Sequence, residues 1–167
     1  MSSAFLEFKV GENLRYPGVG HAVIDKIETV NEKKSYIIRP LADTATSIRV
    51  TVPIAKVNAV GLKKIISQKE VQAIYEILKK RNEKEKGDQT SWNRRLKQYK
   101  EVITKGTVFE IAAVLRDLFL LRNNKELSSS EKDLFRNAQS ILVKEISLAK
   151  KIKTEVIEQE IQMIFAS

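Results

Sequence analysis

Trp92, Arg94, Arg95 and Lys97 are the residues whose types and spacing suggest chemistry, and that chemistry is contact with nucleic acid rather than bond-making. Trp92 is the single tryptophan of the chain, two residues ahead of an Arg pair, at the expected first turn of a helix. From Lys79 to Lys105 the sequence places ten Lys/Arg against four Asp/Glu. Lysine and arginine neutralise phosphates and release counterions. A flat aromatic ring can wedge into a groove or stack on an exposed base. The same spacing has a plainer meaning. Trp92, Leu96, Tyr99 and Ile103 fall at i, i+4, i+7 and i+11, one stripe of a helix, so Trp92 could simply complete a buried face. Ser91, Asn93, Arg94 and Arg95 give it no apolar company on the N-terminal side. Spacing alone leaves both readings open.

Residues for catalysis are sparse. The one histidine, His21, follows a glycine turn at the head of a strand, with no second His, Cys or acidic cluster at ligand spacing. Catalysis and metal binding both need such partners. The chain has no cysteine, which removes disulfides, thiolate catalysis and Cys-ligated zinc and leans toward a reducing compartment. There is no Walker A sequence, and Gly18-Val19-Gly20 lacks the third glycine and following helix of a dinucleotide fingerprint. No nucleophile elbow occurs, and Ser128–Ser130 has a complete explanation as a helix cap. No catalytic residue, metal or cofactor is expected; a binding module is. The first seven residues carry no basic n-region or long apolar h-region, and no run of 18 apolar residues occurs, so neither signal peptide nor membrane span is expected. The formal charge of +9 points to an acidic partner.

The elements that must position these residues change character near residue 66. The 167 residues suffice for one ordinary domain or two small ones, and 43% hydrophobic content calls for a packed core. In the first part, His21–Ile27 and Ser35–Arg39 read as a hairpin separated by Asn31–Lys34. Ser47–Val52 alternates apolar and polar residues, which puts Ile48, Val50 and Val52 toward a core and Arg49 and Thr51 on the outer face. Pro53 suits the strand's end. Several short strands in so little sequence predict a small, strongly bent antiparallel barrel. After residue 66 the period is helical. Ser67-Gln68-Lys69-Glu70, Thr107-Val108-Phe109-Glu110 and Ser128-Ser129-Ser130-Glu131 are capping boxes. The first opens a helix carrying Val71, Ile74, Tyr75 and Leu78; the second, Ile111, Val114, Leu115, Leu118 and Phe119. The third opens a long helix with Leu134, Phe135, Ala138, Ile141, Leu142, Glu145 and Ile146, and a last helix carries Val156, Ile157, Ile161 and Ile164. Asn82–Asp88 reads as a mobile connection, and Gly106 is expected to end the Trp92 helix in a left-handed conformation.

An ordered set of segments carries a family resemblance. They are Phe8-Lys9-Val10-Gly11, Tyr16-Pro17-Gly18-Val19-Gly20, Val52-Pro53-Ile54-Ala55-Lys56-Val57 through Val60-Gly61-Leu62-Lys63, and Trp92-Asn93-Arg94-Arg95. Val108-Phe109-Glu110-Ile111-Ala112-Ala113-Val114-Leu115-Arg116-Asp117-Leu118 and Leu127-Ser128-Ser129-Ser130-Glu131-Lys132 complete it. Over nearly its full length the chain resembles the CarD/CdnL transcription factors of bacteria. The resemblance implies an α+β protein. Residues 1–66 would form a Tudor/SH3-like antiparallel β-barrel that docks on the RNA polymerase β subunit, and residues 67–167 a compact all-α domain over upstream promoter DNA. By position, Trp92 takes the role of a minor-groove wedge at the edge of the melted bubble. Arg94 and Arg95 take the adjacent phosphate contacts, with Lys97 in the same DNA-binding set. In the strand before the Val52-Pro53 step, Arg49, Thr51 and Pro53 are the expected polymerase contacts. The resemblance further implies a cytoplasmic monomer, tied to the nucleoid through polymerase, that makes no membrane contact and binds DNA without reading sequence. Two rivals are a free-standing architectural DNA binder and a protein-interaction adaptor whose basic helix is only a solvated face.

Overall fold

The structure, a computed structural model, describes residues 7–42, 48–81 and 92–167. Strand β1, Asn13–Tyr16, turns back at once into β2, Gly20–Val30, because Gly18 and Gly20 hold positive φ angles of 82° and 111°. Asn31 and Glu32 also have positive φ, so the next reversal takes only two residues. Lys33 and Lys34, expected in the loop, already belong to β3, Lys33–Pro40. The ladder slips between Ile24 and Lys26, a bulge that leaves Asp25 outside the regular pairing and bends the strand. Strand β4, Val50–Pro53, pairs with β3, and the two-residue β5, Lys63–Lys64, pairs with β1. The five strands are antiparallel in the order β4-β3-β2-β1-β5.

Phe8, Leu14, Ile24, Tyr36, Ile38 and Val52 form the core of this sheet, with Val57 from the short helix α1, Val57–Val60. Tyr36 closes it: its hydroxyl accepts the Phe8 N–H at 3.0 Å, and the two rings meet edge-to-face. The expected alternation along Ile48, Val50 and Val52 fails at its start. Val52 is buried and Val50 half-buried, but Ile48 is 58% exposed. The ladder begins only at Val50, so nothing turns Ile48 inward; Ser47 lies outside the described residues.

The chain divides into two compact units, Met1–Ile65 and Ile66–Ser167. The second is built from α2 (Val71–Lys79), α3 (Trp92–Lys105), α4 (Val108–Asn124), α5 (Ser129–Lys150) and α6 (Thr154–Ala166). All three capping boxes form with both reciprocal hydrogen bonds, the first opening a 3-10 turn that runs into α2. Central to the unit is α4, whose Ile111, Ala112, Leu115 and Leu118 are fully buried among α2, α3 and α5. Ile111, Leu115 and Leu118 each contribute about 1.5–3 kcal/mol by leaving water. Glu145, an acid within an apolar stripe, is buried because its carboxylate accepts the Ile66 N–H at 3.0 Å.

Two expectations for the helices do not hold. Val156 is 40% exposed, since α6 turns Ile157 and Ile161 inward and the preceding position lies about 100° around the helix. Gly106 ends α3, but not through a left-handed backbone: its φ lies outside that region, and its N–H donates to the Val102 carbonyl at 2.7 Å. A Cβ there would stand 2.7 Å from the same oxygen, so glycine is required by close approach. The connection expected at Asn82–Asp88 lies outside the described residues.

Candidate nucleic-acid interface

Helix α3 buries the stripe expected of it, with Tyr99 and Ile103 closed off and Trp92 and Leu96 half-buried. Trp92 is thus neither sealed nor free. Its ring meets Tyr99, two turns on, edge-to-face with centroids 6.3 Å apart. Its Nε1–H donates to Oε2 of Glu131, on the first turn of α5, at 3.0 Å. The other oxygen of Glu131 accepts the Ser128 N–H at 2.8 Å and lies 3.2 Å from the Lys125 ammonium. This carboxylate is 1% exposed. Burial pushes its pKa up, but hydrogen bonds from Ser128 and Lys125 outweigh that and hold it below the usual carboxylate range, so it is ionised at neutral pH.

The four expected DNA contacts divide in two. Arg95 packs beside the indole, its guanidinium carbon 5.9 Å from the ring centroid, within cation–π range. Arg94 and Lys97, three residues apart and so neighbours on the helix surface, are exposed. At mid-helix the Tyr99 hydroxyl donates to Asp117 Oδ2 on α4 at 2.9 Å, and the Arg116 guanidinium donates to Oδ1 at 3.0 Å. Burial, then the Asp117 charge, pushes the Tyr99 hydroxyl well up. In the sequence Glu131 reads only as a helix cap, and Lys125 carries no signal of a role. Both lie more than thirty residues from Trp92, and no local pattern marks them. Beyond Glu131, Arg122, Lys125, Lys132 and Arg136 line a cleft of about 580 Å³ between the end of α4 and the start of α5. The Arg122 guanidinium sits over Phe135 at 4.6 Å.

In the sheet unit, Arg49 immediately precedes β4, Thr51 is exposed on it, and Pro53 ends it half-buried. Strand β4 stands at the end of the sheet order, so its outer edge pairs with no strand among the described residues. Arg49 Nε donates to Asp25 Oδ2 at 2.5 Å, while Arg39 Nε donates to Oδ1 at 3.1 Å. These two guanidinium groups, Arg39 foremost, hold the Asp25 carboxyl below its ordinary range. His21 is buried on β2 in register with Arg15. Among the described residues no group of three or more His, Cys, Asp or Glu could hold a metal ion, and no helix is long and apolar enough to cross a membrane.

A five-stranded antiparallel sheet followed by a bundle of helices, with an anchored indole and cations at the head of one helix, defines an α+β protein of two units. The family described as CarD, C-terminal domain, matches residues 73–162, and the chain belongs to the CarD family. It is 27% identical over 154 residues to YdeB of Bacillus subtilis (strain 168), a protein named as a candidate transcription factor. That match covers 90% of this chain and 97% of the relative.

Proposed function

We infer that this chain is a transcription regulator that docks on the RNA polymerase β subunit through its sheet unit and steadies the promoter open complex through its helical unit. It carries out no catalytic step. Trp92 enters the minor groove at the upstream edge of the bubble, while Arg94, Arg95 and Lys97 hold phosphates on either side. Membership of the CarD family and the name carried by YdeB support the regulatory role.

The observation that carries the wedge is the setting of the indole. Trp92 is half-buried at the start of α3, its N–H is tied to Glu131, and Arg95 stands beside it with Arg94 and Lys97 exposed nearby. Prising a base step apart costs on the order of a few kcal/mol, least where the duplex is already opening. A ring of this kind therefore favours melted over closed DNA without reading bases, and the cations add a sequence-independent grip. On the polymerase side, the edge of β4 that pairs with no strand among the described residues offers, with Arg49 and Thr51, backbone groups and charge to a partner.

The test is the lifetime of the open complex formed by polymerase on a promoter, with and without the protein. Trp92→Ala should fold, still be pulled down by polymerase, and lose the lengthening of that lifetime. A variant that folds and prolongs the complex as well as the parent rules out the wedge. A variant that unfolds assigns Trp92 to the core.

A further inference from the structure

The capping box occurs three times in the helical unit, and its third copy differs from the others. In the first two, Glu70 and Glu110 are exposed, and Oε1 of each accepts its own cap's N–H, from Ser67 and Thr107, at 2.9 and 3.0 Å. A capping box asks no more of its glutamate. Glu131 is buried and uses both oxygens: Oε1 for Ser128 and Lys125, and Oε2 for an indole thirty-nine positions away. Helix capping accounts for the first oxygen and leaves the second unexplained.

An indole has a single polar atom, and it is a donor. With that donor held by Glu131, the nitrogen edge of the Trp92 ring is turned toward α5. We propose that Glu131 is the positioning residue for Trp92, its second carboxylate oxygen fixing the ring so that an apolar edge, not the N–H, is offered to the DNA. This rests on the wedge reading for its effect at the promoter. It also has a consequence for specificity. The minor groove presents acceptors, adenine N3 and thymine O2, that a free indole N–H would engage. With the N–H engaged within the protein, the ring acts through shape and reads no base.

Glu131→Gln separates the two oxygens. Its amide oxygen still accepts the Ser128 N–H, since glutamine serves a capping box, but its amino group cannot accept the indole N–H. Because Trp92 is the only tryptophan, its emission and its single indole N–H resonance report on this site in the full-length protein. In Glu131→Gln, exchange of the indole N–H with solvent should speed up about tenfold, the lower end for losing one hydrogen bond to a charged group. Acrylamide should also quench the emission more strongly. The open-complex lifetime should fall toward that seen with Trp92→Ala. Unchanged exchange and quenching overturn the proposal. So does a faster exchange that leaves the lifetime at the parent value where Trp92→Ala shortens it. If Glu131→Gln fails to fold, the parent protein decides: an indole N–H that exchanges as fast as free indole overturns the proposal, and a protected one supports it. If Trp92→Ala leaves the lifetime unchanged, the wedge falls, and the exchange rates still decide whether Glu131 holds the ring.

Discussion

The hydroxyl of Tyr99 donates to Asp117 Oδ2 at 2.9 Å, and this bond fixes α3 against α4 two turns beyond Trp92. The indole bond to Glu131 is another polar tie on the same helix. Tyr99→Phe keeps the ring that packs edge-on to Trp92 and removes only the donor. Loss of one part-buried hydrogen bond to a charged acceptor should cost about 1.5–3 kcal/mol in urea unfolding. The alkaline limb gives a second check. Burial and the Asp117 charge raise the folded hydroxyl above its ordinary 10.0, so the unfolded chain ionises first. The contribution of Tyr99 is whole below 10 and is lost as pH rises above it. The gap between the parent and Tyr99→Phe should therefore narrow above pH 10.

Glu131 gives the opposite sign. Its folded carboxyl is depressed, because the Ser128 and Lys125 hydrogen bonds outweigh burial. Its stabilisation is present above the ordinary glutamate value of 4.5 and is lost as pH falls through the lower folded value. Protonation also weakens the acceptor facing the indole. The Trp92 emission of the parent should therefore change on acidification below 4.5, and the change should be much smaller in Glu131→Gln. An emission that titrates identically in both proteins places the acid transition elsewhere.

The parts of this structure that were legible in the sequence are the local ones. A capping box lies within four residues, and an amphipathic stripe within two or three turns, so Ser67, Thr107, Ser128 and the burial of Tyr99 and Ile103 were all readable. What escaped depends on partners remote in sequence or on where an element starts. Ile48 has the alternation of a strand residue but precedes the ladder, and Asn31–Glu32 form a tighter reversal than their polar neighbours suggest. For Trp92, periodicity could place the ring on the inner stripe, but only the tertiary fold brings Glu131 to its nitrogen.

The exposed cations of α3 should act as phosphate contacts and nothing more. Arg94→Ala and Lys97→Ala should each weaken binding evenly across DNA sequences and reduce the slope of log affinity against log salt by about one. Arg95→Ala should do the same and also alter the Trp92 emission, because its guanidinium lies beside the indole. Salt titrations of forked promoter DNA with the full-length protein measure this. Slopes unchanged in both Arg94→Ala and Lys97→Ala would make the face merely solvated.

At the sheet edge, Asp25 joins Arg39 on β3 to Arg49 ahead of β4. Arg49→Glu replaces attraction to Asp25 by repulsion and reverses the charge offered beside Thr51 and Pro53. Binding to an isolated β-subunit fragment should drop by at least about tenfold, in the range for reversing a charge at an interface. The thermal midpoint should move little, since exposed ion pairs contribute little to stability. Undiminished binding with an intact fold would put the docking face elsewhere on the unit.

Gly106 separates close approach from backbone freedom as the reason for a glycine. Where a glycine has an ordinary backbone and open space, Gly→Ala commonly stabilises a protein by restricting its unfolded chain. Here the added Cβ would meet the Val102 carbonyl oxygen at 2.7 Å and its side chain at 3.0 Å. That oxygen also accepts the Gly106 N–H, so it cannot retreat without weakening the bond that ends α3. Gly106→Ala should therefore destabilise the protein by about 1–3 kcal/mol, the usual range for overpacking. Urea unfolding followed by far-ultraviolet circular dichroism measures the loss. Because the strain falls between α3 and the capping box of α4, it should leave the Trp92 emission of the folded state nearly unchanged. A stabilised Gly106→Ala would mean that the end of α3 relaxes freely and that close approach does not dictate the glycine.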